Sequence, residues 1–89
     1  MTTVSFTSAL QRFLAAPSAN VEAGTVADAL AAVFASRPAL RGYVLDDQGA
    51  LRRHVAVYVN GQPVLDRVRL SDRIGPYDEI YVLQALSGG

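Results

Sequence analysis

Residues 54–61, His-Val-Ala-Val-Tyr-Val-Asn-Gly, constrain the fold more than any other stretch of this chain. Val55, Val57 and Val59 alternate with His54, Ala56 and Tyr58, a period of two that makes a strand with one β-branched face for a core. Asn60-Gly61 follows at once, and these residue types reach the positive φ that both central positions of a type I′ hairpin turn require. Gln62 to Leu65 is then the returning strand. Pro63 has no N–H to give to a ladder and places that strand at a sheet edge. The apolar face of such a pair must be covered by another element.

That cover is read in residues 26–36. Thr25 is an N-cap whose hydroxyl takes an orphan backbone N–H, and Asp28 stands in the first turn, where the helix end is positive. Val26, Ala29, Leu30, Val33 and Phe34 recur at i, i+3, i+4, i+7 and i+8, the spacing of one helix face. Arg37 suits the negative end, and Pro38 forbids continuation. Ahead of the helix, Val4 and Phe6 at period two mark a first strand within residues 3–10. Pro17-Ser18 close a turn region that begins near Arg12, and a second strand at about Ala19–Ala23 runs back and ends at Gly24. Residues 38–53 read as irregular and polar, with Asp46-Asp47-Gln48-Gly49 as a solvated turn and Arg52-Arg53 as exposed rim. Gly75-Pro76-Tyr77-Asp78-Glu79 is a further turn, and Ile80 to Gln84 is the last strand.

The order is two strands, one helix and three strands. A right-handed crossover through the helix lays the first and last strands side by side and parallel at the sheet centre. The expected fold is therefore α+β, a ubiquitin-like β-grasp: a mixed five-stranded sheet packed on one helix, ββαβββ.

Composition narrows the chemistry. The 89 residues carry 8 basic and 8 acidic side chains, and that balance argues against nucleic acid or an anionic membrane as the main partner. A domain of this size buries about 60–65% of its unfolded surface and needs a well-patterned core. Cysteine is absent, which excludes a disulfide framework, a thiolate zinc site and a thiol nucleophile. No segment approaches the ~20 apolar residues of a membrane span, and the first residues lack the charged start and apolar run of a signal peptide. A cytoplasmic location is the expectation. All eight basic residues are arginine; the absence of lysine either prevents conjugation through the protein's own side chains or reflects a compositional bias toward Arg and Ala. His54 has no orienting acid or nucleophile nearby in sequence, and Asp78-Glu79 read as turn and strand-start residues.

After the last strand the chain reads Ala85-Leu86-Ser87-Gly88-Gly89. A Ser-Gly-Gly segment can thread a narrow channel with its main chain close to a partner's walls. A terminal carboxylate, with a reference pKa of roughly 3.5, is ionised at neutral pH and is a competent nucleophile toward the α-phosphate of ATP. We expect residues 1–86 to form the domain and residues 87–89 a flexible tail.

His54-Val-Ala-Val-Tyr-Val-Asn-Gly61 together with Asp78-Glu-Ile-Tyr-Val-Leu-Gln-Ala-Leu-Ser-Gly-Gly89 resembles the MoaD/ThiS family of ubiquitin-like sulfur carriers, and the resemblance extends over the whole chain in element order. It implies a protein cosubstrate, not an enzyme, that binds no cofactor of its own. A ubiquitin-activating-like adenylyltransferase, using ATP and Mg, would convert the Gly89 carboxylate to an acyl-adenylate. A sulfur donor would then make a thiocarboxylate for a sulfur-accepting synthase, with Gly88 giving access. The family commonly shows Pro-Gly-Asp-Glu ahead of the last strand and a Pro in the final stretch, where this chain has Pro76-Tyr77-Asp78-Glu79 and Gln84. Tyr77 does not take positive φ as cheaply as Gly, so another turn type is expected.

If Ile80 and Val82 pack on the helix, then Tyr81, Leu83, Ala56 and Tyr58 form an outward apolar patch suited to docking, with Leu86 as a further anchor near the tail. The resemblance implies the small subunit of a molybdopterin synthase. The stretch Leu51 to Asn60 also resembles carriers dedicated to cysteine formation from an activated serine ester, and a ubiquitin-like modifier forming isopeptides through Gly89 is the remaining alternative.

Overall fold

The computed structural model describes residues 1–6 and 18–84. In chain order the elements are β1 (Thr2–Phe6), β2 (Ser18–Val21), α1 (Val26–Ser36), α2 (Pro38–Val44), β3 (Val55–Val59), β4 (Gln62–Pro63) and β5 (Glu79–Gln84). The five strands form one sheet in the order β2-β1-β5-β3-β4. β1 and β5 are parallel, with Val4 opposite Ile80 and Phe6 opposite Val82, while every other pair is antiparallel. This is the β-grasp arrangement expected from the element order.

α1 occupies the span that its cap and stripe define. Thr25 is extended at φ −138° and ψ 163°, and its hydroxyl accepts from Asp28 N–H at 3.1 Å. Val26, Ala29, Leu30, Val33 and Phe34 are all buried. At the far end Arg37 N–H still donates to the Val33 carbonyl, but at φ −134° and ψ 71° the residue has left the helix.

The region after Pro38 departs from the expectation of an irregular segment and a single helix. Pro38 ends α1 and also begins α2, because a residue without an N–H loses nothing at the first helical position and its φ is already helical. α2 buries Leu40 and Val44, four residues apart on one side. The chain then turns at Asp46, whose Oδ1 accepts from the N–H groups of Gln48 and Ala50 at 2.8 and 3.0 Å. That is the turn chemistry read in Asp46-Asp47.

β4 is shorter than the stretch to Leu65 assigned from sequence. The Asp72 carboxylate accepts from Leu65 N–H and Asp66 N–H at 2.8 and 2.9 Å and draws the chain out of the ladder after Pro63. Pro63 lies on the edge strand, as its missing donor requires. β3 begins at Val55, one residue later than read, where Val55 N–H closes a turn on the Arg52 carbonyl at 3.0 Å.

Both helices bury their apolar sides in one core with the inward face of the sheet: Val4 and Phe6 from β1, Val55 and Val57 from β3, Ile80 and Val82 from β5. Thr2 shares that face, and its hydroxyl donates to the Gly75 carbonyl at 3.0 Å, so the one buried polar side chain there is satisfied. No helix among the described residues is long and apolar enough to cross a membrane.

Candidate functional site: the outward sheet face and the exit of β5

Alternation along two antiparallel neighbours builds the site. Because Ile80 and Val82 point inward, Tyr81 and Leu83 point to the other side of β5. The register sets Tyr58 opposite Tyr81 and Ala56 opposite Leu83. Tyr58, Ala56 and Leu83 are half-buried, and Tyr81 keeps 44% of its surface exposed. On β1, Ser5 is the neighbour of Tyr81 and Thr3 of Glu79, so the apolar character is confined to the β3–β5 side. A shallow depression of about 550 Å³ lies there, bounded by Tyr58, Asn60, Gly61, Glu79, Tyr81 and Leu83.

The rim of this depression is held by a network that spans 18 residues of sequence. Asn60 and Gly61 have φ of 50° and 84°, the positive pair of a type I′ turn. Asn60 Nδ2 donates to Asp78 Oδ1 at 2.9 Å, and Asn60 Oδ1 accepts from Glu79 N–H at the same distance. The second Asp78 oxygen accepts from Gly75 N–H at 2.7 Å. The Gly75 donor first, and Asn60 next, hold the Asp78 carboxyl below its ordinary value, because each favours the charged form. The hairpin is thereby fastened to the start of β5.

Tyr77 is 88% exposed and is not among the residues with positive φ. The turn closes by Asp78 N–H donating to the Gly75 carbonyl at 3.3 Å, so Tyr in place of Gly is accommodated by a turn with no left-handed residue at that position. Asn60, Gly61 and Glu79 were read only as turn and strand-start residues; their part in the rim emerges from the β3–β5 register. Of the residues singled out for docking, the fold brings Tyr58, Tyr81 and Leu83 together, whereas Leu86, Gly88 and Gly89 lie outside the described residues. No cluster of three or more His, Cys, Asp or Glu among the described residues is placed to hold a metal ion.

The family model described as the ThiS family matches residues 11–89. The chain belongs to the ThiS family. Its members are small ubiquitin-like sulfur carriers and modifiers, not enzymes. Among solved structures, small archaeal modifier protein 1 of Haloferax volcanii is similar over 99% of this chain and 98% of its own, with a TM-score of 0.85 and 27% identity. A chain of the BexX/CysO complex from Amycolatopsis orientalis superimposes over the full length of both, with a TM-score of 0.87 and 23% identity. Mycobacterium tuberculosis CysO covers 97% of this chain and 100% of its own, with a TM-score of 0.84 and 24% identity. The last two likenesses are of fold. Comparison with curated proteins gives no match.

Proposed function

We propose that this protein is a sulfur carrier whose Gly89 carboxylate is the reacting group. The observation that carries this reading is the family match through residue 89, with Ser87-Gly88-Gly89 following the strand that lies between β1 and β3. A carboxylate oxygen of Gly89 bonds to the α-phosphorus of ATP in an adenylyltransferase, and pyrophosphate leaves. The donor's sulfur then attacks the acyl carbon, AMP leaves, and a thiocarboxylate remains. Cysteine is absent, so the terminal carbonyl is where the sulfur is held. ATP and Mg belong to the activating partner.

Tyr58, Tyr81 and Leu83 form the docking face, Leu86 fills a partner pocket ahead of the glycines, and Gly88 gives the main chain passage. An aromatic pair beside an aliphatic residue on a polar-edged sheet is the composition of an interface centre. The synthase served is of the molybdopterin type, with this chain as its small subunit. A second destination, cysteine formation from an activated serine ester, is favoured by the stretch Leu51 to Asn60.

Co-expression with an adenylyltransferase and a sulfur donor, followed by intact-mass measurement, tests the reading. Replacement of one oxygen by sulfur at Gly89 is expected. Covalent adducts of Gly89 with other proteins, without that replacement, would establish a modifier instead. Incubating the thiocarboxylate separately with a molybdopterin synthase large subunit and with a cysteine synthase then separates the two destinations.

A further inference from the structure

A second concavity, of about 440 Å³, lies on the helix side of the sheet and therefore opposite the docking face. Its floor is apolar: Leu30 and Phe34 of α1, Leu45 at the end of α2, and Leu70. The exposed Ala31 and Ala35 form one wall. Their single methyl groups leave open the volume that longer side chains would occupy. The only charged groups among the described residues that line it are two cations, Arg41 and Arg69. Neither guanidinium has a hydrogen-bond or ion-pair partner among the described residues.

The position of Arg69 is not left to a loose loop. Its N–H donates to Asp66 Oδ1 at 2.9 Å. The next residue, Leu70, has φ 55°, a conformation that a leucine adopts only where its surroundings impose it. Leu70 is held there from both sides, its N–H on the Asp66 carbonyl at 3.0 Å and its carbonyl on Ala27 N–H at 2.9 Å. This backbone turn buries the Leu70 side chain and brings Arg69 to the rim. Arg41 faces the same space from α2.

We infer that this groove is a binding site for a small organic anion with an apolar body, of the medium-chain acyl carboxylate class. The volume lies in the range of small-molecule sites, which are apolar with a few placed polar groups. Two unpaired guanidinium groups with no carboxylate beside them set the sign of the occupant's charge, and their planar forks match a carboxylate. The site goes beyond sulfur carriage and does not depend on it, because an occupant here leaves Tyr58, Tyr81 and Leu83 uncovered.

The test is titration of the full chain with decanoate, followed by amide and methyl NMR shifts. Saturable shifts at Leu30, Phe34, Leu45 and Leu70 are expected, with the Tyr58–Tyr81 face unmoved. The double variant Arg41→Ala/Arg69→Ala should bind about tenfold more weakly, and decyltrimethylammonium should not shift the groove residues. Ala31→Trp, at an exposed helix position, should block binding while leaving the circular dichroism spectrum unchanged. The inference is overturned if decanoate gives no saturable shifts, if they map to the sheet face, or if the double variant or the cationic probe binds as well as decanoate binds the natural protein.

Discussion

Arginine placed at Val82 and, separately, at Leu83 probes two neighbours on β5 that point to opposite sides of the sheet. Val82 has no exposed surface and lies between Phe6 and Val57 in the ladder. Val82→Arg forfeits about 1.5–3 kcal/mol of side-chain burial and leaves an unpaired charge in the core, a further ~3–5 kcal/mol. The total of about 5–8 kcal/mol is comparable to the whole stability of a domain this long, about 4–13 kcal/mol. Leu83 is half-buried on the outward face, where an arginine stem lies along the sheet with its charge in water, so the cost there is below about 1 kcal/mol. Docking is a different matter: a central apolar anchor is worth about 2 kcal/mol, roughly 30-fold in affinity. Thermal unfolding by circular dichroism and the rate of thiocarboxylate formation with an activating enzyme read the two effects separately. We expect Val82→Arg to be largely unfolded, and Leu83→Arg to be folded but deficient in transfer. The face assignment is refuted if Leu83→Arg melts as early as Val82→Arg, and the docking role if it transfers sulfur at the unmodified rate.

Deleting Gly89 should abolish sulfur transfer and leave the melting temperature unchanged; retained transfer would remove the terminal carboxylate from the mechanism. Asn60→Ala loses two side-chain hydrogen bonds and puts a Cβ-bearing residue without compensating bonds at φ 50°, so urea unfolding should show a loss of about 1–3 kcal/mol. Asn60→Gly keeps the backbone conformation and should lose less, and an equal loss would show that the positive φ costs nothing there. The Asp66 carboxyl is lowered from 3.8 to about 2 by Arg69 N–H first, then the Ser71 hydroxyl and Val68 N–H. A depressed carboxyl stabilises the fold above its unfolded value, so this contribution is complete above about pH 4 and is lost as pH falls toward about 2. Asp66→Asn should flatten the stability profile in that window, and an unchanged slope would place the acid sensitivity elsewhere.

Sequence reading succeeded where one local rule had no competitor. Residues 26–36 carry a cap, a five-residue stripe and a terminating proline, all indicating one helix, and α1 has those bounds. It failed at α2, whose seven residues contain only Leu40 and Val44 as a buried pair around Gly42. Two apolar residues four apart are too few to establish a period. Pro38 was correctly read as a stop, but its equal fitness as a first helical residue shows only once the core offers Leu40 and Val44 a place. The early end of β4 has a similar origin, since Asp72 reaches back six and seven residues to Asp66 and Leu65, beyond any local turn rule.

From sequence alone follow the elements with strong periods, the parallel pairing of the first and last strands, the Asn60-Gly61 hairpin and the reactive end expected of its family. These are local or topological consequences of where apolar residues, caps and turns fall along the chain. Only the tertiary structure decides which side of β5 is open, that Asn60 and Asp78 lock the hairpin to it, and that Arg41 and Arg69 meet across one groove. Those pairings join residues 18 and 28 positions apart, and such distances close only when the sheet register and helix packing are in place.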